Sequence, residues 1–285
     1  MDERKNKLKK IGITSNVITD RLGVMGYSLI KKAGFTAIDF NMQRGFFSQK
    51  ENSFSRDFFK IICKHSYEII NNDLFIAQTH APYYTSEQYM NNPKSFDNYL
   101  DAVEKSLHAT LYLSCKRFVI HPLHKYAWMK ESEIELTKKM IERIFSCAKQ
   151  ENIYICLENL PYDLCGETKS HIEYLNYLKQ YNIKACFDTG HSFIKDDSAL
   201  NHLVKIKKYT YAVHIHQNDG TQDLHSRISV NSNQWYQIIN ELKNNNNVPS
   251  FSLETSGIYK GCDKKKIQEE LVLDYKIICS YINAE

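Results

Sequence analysis

Ile153-Tyr-Ile-Cys-Leu-Glu158 and Lys184-Ala-Cys-Phe-Asp188, with the amphipathic stretch His171–Tyr181 between them, decide the fold. Both short runs are apolar at consecutive positions, as expected of strands buried on both faces. The stretch between them follows the helical repeat. Strand, helix and strand in that order make a parallel unit, and each strand closes on an acid. The unit recurs in both directions. Upstream lie Lys10–Thr14, Ala37–Phe40, Leu74–His80 and Arg117–His121; downstream lie Tyr211–His216 and Phe251–Glu254. Helical patterns fill the gaps at Phe54–Asn71, Phe96–Ser114, Glu131–Gln150, Gln234–Lys243 and Lys264–Ile282. Gly34, after Tyr27–Ala33, reads as a left-handed helix terminator.

A repeated strand–helix unit in one sheet gives either a doubly wound sheet or a closed barrel. The first strand–helix turn, Ile13-Thr-Ser-Asn16, has no G-x-G-x-x-G, which counts against dinucleotide binding. The 285 residues also suit a barrel, which takes about 250. The expectation is α/β, a single (β/α)8 TIM barrel over 1–285 as one domain, with a charged N-terminal extension over about residues 1–9. Lys243-Asn-Asn-Asn-Asn-Val248 reads as a polar loop, not a linker.

Composition is that of a globular chain, 42% hydrophobic and 25% charged. Met1-Asp-Glu-Arg-Lys-Asn-Lys-Leu-Lys-Lys10 has no apolar core, so it does not read as a secretory signal. No apolar run approaches the roughly 18 residues of a membrane span. The expected location is the cytoplasm. Eight cysteines are scattered without a C-x-x-C pair, which reads as reduced thiols packed as small hydrophobes. Cys115, Cys147 and Cys279 fall in helical patterns, Cys156 and Cys186 in strands. A net charge of +4, spread along the chain, gives no basic stripe for nucleic acid.

Chemistry concentrates where strands end. His80 ends Phe75-Ile-Ala-Gln-Thr-His80 and His121 ends Phe118-Val-Ile-His121. Glu158, Asp188 and Glu254 end their runs, His191 follows in Asp188-Thr-Gly-His191, and Val213-His-Ile-His216 precedes Asp223-Leu-His225. In a parallel barrel these ends share one rim, where barrel enzymes place their sites. One histidine there is more often a hydrogen-bonded structural residue. The bland reading fails on repetition, because strand after strand closes on His, Asp or Glu. It is kept for His65, His108, His171 and His202 in helical stretches, and His124 reads as surface. His216 shares a strand face with His214, which leaves ligation, support and substrate contact open. Buried carboxylates need a partner, and a mixed His/carboxylate set without cysteine suits Zn²⁺ or Mn²⁺.

Leu157-Glu-Asn-Leu-Pro161, Phe187-Asp-Thr-Gly-His191 and His214-Ile-His-Gln-Asn-Asp-Gly-Thr-Gln-Asp-Leu-His225, in this order and spacing, resemble the xylose isomerase-like TIM-barrel superfamily. That group holds sugar isomerases and epimerases and the endonuclease IV type of repair nuclease. The resemblance runs from Gly34-Phe-Thr-Ala-Ile-Asp39 to Glu254. In the epimerase branch it implies one metal held by Glu158, Asp188, His214 and Glu254. Glu158 and Glu254 would then exchange a substrate proton through an enediolate, with His191 holding a substrate oxygen. In the nuclease branch it implies a cluster of up to about three zinc ions, adding His80, His121, His191, Asp223 and His225 as donors.

The Gly34–Phe40 segment, Asp188-Thr-Gly-His191 and Asn218-Asp-Gly220 look more like the sugar branch, as does the absence of a basic stripe. The expectation is therefore a divalent-metal-dependent sugar or polyol isomerase/epimerase. The alternative is a zinc-dependent AP endonuclease or phosphodiesterase, the only reading with a nucleic-acid partner; a distant third is a sugar-sensing homologue without turnover. Tyr83 and Tyr84 suit a DNA wedge, a sugar pocket or simple packing. The chain departs from the family pattern at Leu123, where glycine is usual, and at Ser226-Arg-Ile-Ser-Val230, which lacks the usual Leu-Pro and Gly-rich turn. A homo-oligomer is a family-level expectation.

Overall fold

The computed structural model describes residues 9–43, 45–84, 91–161, 164–195 and 198–284. The charged extension expected at the N-terminus lies outside them, apart from Lys9. Eight parallel strands form one sheet: β1 Lys10–Thr14, β2 Ala37–Asn41, β3 Phe75–His80, β4 Arg117–Ile120, β5 Tyr154–Glu158, β6 Lys184–Asp188, β7 Thr210–His214 and β8 Ser250–Leu253. Neighbours in sequence are neighbours in the sheet, and β8 returns to pair with β1 in parallel. The ring closes between β7 and β8, where the Ile215 N–H donates to Ser252 O at 2.9 Å and the Glu254 N–H to Ile215 O at 3.0 Å. The architecture is a TIM barrel, as expected.

The helices are α1 Asn16–Leu22, α2 Gly26–Ala33, α3 Phe58–Asn71, α4 Pro93–Tyr112, α5 Glu133–Gln150, α6 Thr168–Tyr177, α7 Thr189–Lys195, α8 Ala199–Ile206, α9 Asn233–Lys243 and α10 Lys264–Ile282. Local chemistry sets several ends. Asn92 accepts from the Lys94 N–H at 3.0 Å just before Pro93 at the first helical position, and Asp263 accepts from the Lys266 N–H at 2.7 Å. Gly34 terminates α2 at φ 111°, and a Cβ there would lie 2.6 Å from the Tyr275 ring. Among the described residues no helix is long and apolar enough to cross a membrane.

Some boundaries differ from expectation. The helix expected from Phe54 begins at Phe58, because Phe54 belongs to a small hairpin, Phe47–Ser48 with Ser53–Phe54. The Phe54 ring stacks on Phe58 at 3.8 Å. Cys115 lies in the turn after α4, not in the helix, and β7 ends at His214 with Ile215 making only the closing bridge to Leu253. All eight cysteines are free thiols.

The strands divide their side chains between two cores. Phe118, Ile120, Ile155, Leu157, Ala185, Phe187 and Val213 face the helices in the main core. Val119, Cys156, Cys186 and Ala212 form a separate, fully buried cluster inside the barrel. A strand alternates faces every residue, so two positions beyond that inner cluster come His121, Glu158, Asp188 and His214. The inner face that starts with small apolar residues thus ends in histidine and carboxylate side chains at the rim.

Candidate metal centre

The rim encloses a cleft of about 260 Å³ whose lining includes His80, His121, Glu158, His191, Asp223, His225 and Glu254. The strand-end residues expected from the sequence come together here. Donor atoms of Glu158, Asp188, His214 and Glu254 lie within 4.8 Å of one another, as do those of His80, Glu158 and His214, and of His191, His216, Asp223 and His225.

Glu158 is the hub. Its Oε2 lies 3.0 Å from His80 Nε2 and 3.3 Å from His121 Nε2, and its Oε1 lies 3.0 Å from His214 Nδ1. His214 Nδ1 is also 3.2 Å from Glu254 Oε2 and 3.7 Å from Asp188 Oδ2. His191 stands 3.5 Å from Glu158 and 3.6 Å from Asp188 through Nδ1. Asp223 Oδ2 lies 3.0 Å from His225 Nε2 and 3.4 Å from His191 Nε2.

Most of these rings are fixed by their other nitrogen. His80 Nδ1–H donates to Ala81 O at 2.6 Å, His191 Nδ1–H to Asn159 O at 2.7 Å, and His225 Nδ1–H to Glu254 O at 3.0 Å. His214 Nε2–H donates to Asp39 Oδ2 at 2.8 Å. Each ring therefore turns its remaining nitrogen toward carboxylate oxygen. Two lone pairs facing each other at such distances need a proton or a cation between them. Among the described lining residues there is no lysine or arginine to supply that charge. The donor set thus fits divalent cations, with nitrogen and oxygen ligands of the kind Zn²⁺ and Mn²⁺ take.

Electrostatics follow the same logic. Burial alone would raise the Glu158 carboxyl, but His214 and His121 hold it well below its ordinary range. Asp188 is lowered too, with His191 and His216 outweighing burial. His121 is lowered, chiefly by burial. Burial also disfavours charge on His191 and His225, yet Asp188 and Asp223 raise His191 to about 10, and Asp223 and Glu254 raise His225 to about 9.

These two shifts predict a pH dependence for protein stripped of metal. Both histidines are held above their unfolded value of about 6.5, so their stabilisation is complete below that pH. It is lost as pH rises through about 9 to 10. The melting temperature of chelator-treated protein should therefore decline across this window, and excess zinc should flatten the decline. A profile without the decline would contradict the assignment.

Several supporting residues were not singled out in the sequence. Asp39, fully buried in β2, holds His214 and also accepts from Gln78 Nε2 at 3.1 Å. Asn159 pairs its side chain with both backbone groups of Asp188, at 2.8 and 2.9 Å. Asn218 accepts from the His225 N–H at 3.1 Å and donates to Asp223 Oδ1 at 3.1 Å. His216 is fully buried beside Asp188, with Nε2 at 3.0 Å from its carboxylate oxygens, a contact that supports Asp188. Gly190 is needed there, since a Cβ would fall 2.0 Å from the His216 ring.

His124 is exposed, as expected, and also lines the cleft. Tyr83 stacks on His121 with ring centres 5.0 Å apart, and Tyr84 packs among Phe96, Tyr99 and Tyr126. His171 and His202 pair with each other at 3.1 Å, fully buried, in the structural role expected of them.

Known proteins place this arrangement in context. A "Probable endonuclease 4" of Mycoplasma mobile is 26% identical over 187 residues, and the match covers 62% of each chain. A D-tagatose 3-epimerase-like protein superposes over 96% of this chain and 97% of its own, with a TM-score of 0.69 at 18% identity. The D-psicose 3-epimerase of Clostridium cellulolyticum H10 covers 96% and 100%, with a TM-score of 0.68 at 15% identity. At those identities the structures share the fold. The profile described as Xylose isomerase-like TIM barrel matches residues 27–272, from α2 into the last helix and across every strand end that carries a donor. On that match the chain belongs to the xylose isomerase-like TIM-barrel family.

Proposed function

We propose that the chain is a divalent-metal-dependent isomerase or epimerase of a small sugar or sugar-like polyol. One observation carries the reading. Glu158 and Glu254, from strands well separated around the ring, approach the same atom, His214 Nδ1, at 3.0 and 3.2 Å, and both line the cleft. A cation held by Glu158, Asp188, His214 and Glu254 would acidify the C–H between adjacent oxygens of an α-hydroxy ketone. Glu158 and Glu254 are placed so that one would take a proton from that carbon and the other would return one to the opposite face or the neighbouring carbon. Glu254 is the more accessible of the two, its side chain 14% exposed against 2% for Glu158. His191 holds a substrate oxygen from the side of the cleft. Several structural neighbours are sugar 3-epimerases, which agrees with this reading.

A second reading is cleavage of a phosphodiester, as at abasic sites in DNA. It is favoured by the gathering of His80, His121, His191, Asp223 and His225 around the first four donors, and by the named relative in Mycoplasma mobile. The lack of lysine and arginine among the described lining residues weighs against it.

Elemental analysis of protein purified without chelator, followed by two assays, separates them. About one Mn²⁺ or Zn²⁺ per chain with turnover of a ketose supports the first reading. Close to three zinc ions with nicking of abasic DNA and no ketose turnover overturns it in favour of the second.

A further inference from the structure

The segment after His225 begins Ser226-Arg227, and Arg227 has a defined place in the structure. From the loop after β7 its guanidinium reaches α10. There it donates to Asp274 Oδ1, and to Glu270 Oε2 at 2.6 Å. Asp274 is 2% exposed. Its second oxygen accepts from the Thr255 hydroxyl at 2.6 Å and the Tyr259 hydroxyl at 2.5 Å. Thr255 directly follows Glu254. One buried carboxylate therefore holds two loops: the one carrying Asp223 and His225, and the one leaving β8 with Glu254.

The loops also touch each other. The Gly257 N–H donates to His225 O at 3.2 Å, and a Cβ on Gly257 would lie 2.2 Å from Leu224 O. His225 Nδ1–H donates to Glu254 O at 3.0 Å. His225 itself sits at φ 48°, a conformation that a non-glycine residue keeps only where its surroundings fix it. Loss of the arginine would leave this buried carboxylate short of a partner.

We propose that Arg227 and Asp274 are positioning residues, a clamp that locks the Asp223–Arg227 loop to the Glu254–Tyr259 loop and so sets His225 and Glu254 in register. The metal part of the test below rests on reading those two as cation donors; the clamp itself does not. Removing one partner of a buried pair is destabilising, so the variants should also melt lower, and protection retained in the middle of α10 separates local loosening from global unfolding.

The test is hydrogen exchange on chelator-stripped protein, beside zinc competition with a chromophoric chelator. Wild type, Arg227→Met, Arg227→Lys and Asp274→Asn are compared. Arg227→Met and Asp274→Asn should speed exchange in residues 223–227 and 254–259 together while the middle of α10 stays protected. Zinc should bind them about tenfold more weakly, and lysine at 227 should restore most of both properties. Faster exchange in only one loop, or in neither, overturns the clamp, and unchanged zinc affinity with both loops loosened overturns the positioning role. A His225→Ala control keeps the two ideas apart. If it binds zinc like wild type, the donor reading fails at His225, while exchange still judges the clamp.

Discussion

Glu158→Gln should reduce turnover by about a thousandfold, the scale of a lost general acid or base, and should also loosen bound metal. The two effects have one origin. Glu158 presents Oε2 to His80 and His121 and Oε1 to His214. An amide keeps one oxygen and replaces the other by an N–H₂ group that cannot accept. Whichever way the glutamine turns, one set of rings loses its acceptor in a site with almost no water contact. A buried group left unpaired costs about 1–3 kcal/mol, so the variant should remain folded but melt lower. Glu254→Gln is the informative companion. Glu254 meets His214 at one oxygen, 3.2 Å away, with 14% of its side chain exposed. Its variant should lose comparable turnover and retain more metal. Kinetics on whichever substrate the wild type converts, with metal content measured on the same preparations, checks both. Wild-type turnover by Glu158→Gln would remove the basis of the epimerase and hydrolase readings alike.

The fold was legible because strands buried on both faces write themselves as consecutive apolar residues. Lys10–Thr14 and Lys184–Asp188 match the observed strands at both ends, and β7 and β8 each start one residue before their expected positions. What was not legible has physical reasons. Helix α7 starts at Thr189 without any polar loop, because Asp188, a strand residue and candidate ligand, caps it by accepting from the His191 N–H at 2.7 Å. Helix α8, Ala199–Ile206, is short, and its local mark is the Ser198 cap, which accepts from the Asn201 N–H at 3.2 Å. The hairpin between β2 and α3 pairs only two residues per strand, too few for an alternation pattern.

The candidate site shows the same contrast. Its histidines and acids announce themselves at strand ends, where an apolar run stops. Asp39 is different, since it stands between Ile38 and Phe40 inside a strand that is buried throughout. Its partner His214 is 175 residues away, joined to it only by closure of the barrel. No local pattern contains such a pair. Arg227 is similar, a charged residue in an irregular loop whose meaning depends on Asp274 in the last helix.

Asp39→Asn should weaken metal binding about 10- to 100-fold, the usual effect of removing a carboxylate behind a ligating histidine. The Asp39 carboxylate can only accept, so it fixes the proton of His214 on Nε2 and leaves Nδ1 free toward Glu158 and Glu254. Asparagine can present its N–H₂ instead, which favours the other tautomer and turns an N–H toward the place the cation would occupy. The change is nearly isosteric, but an N–H₂ turned toward His214 also faces Gln78 Nε2, which donates to the same Asp39 oxygen at 3.1 Å, so the stripped variant should melt somewhat below stripped wild type. The larger difference should appear on adding metal. At fixed free zinc well above both dissociation constants, each tenfold loss in affinity removes about 1.4 kcal/mol of stabilisation. The variant's zinc-induced rise in melting temperature should therefore be smaller by a margin that chelator competition independently predicts. Equal rises in the two proteins would mean that Asp39 only satisfies a polar group inside the barrel, and that His214 holds its orientation through packing against its neighbours.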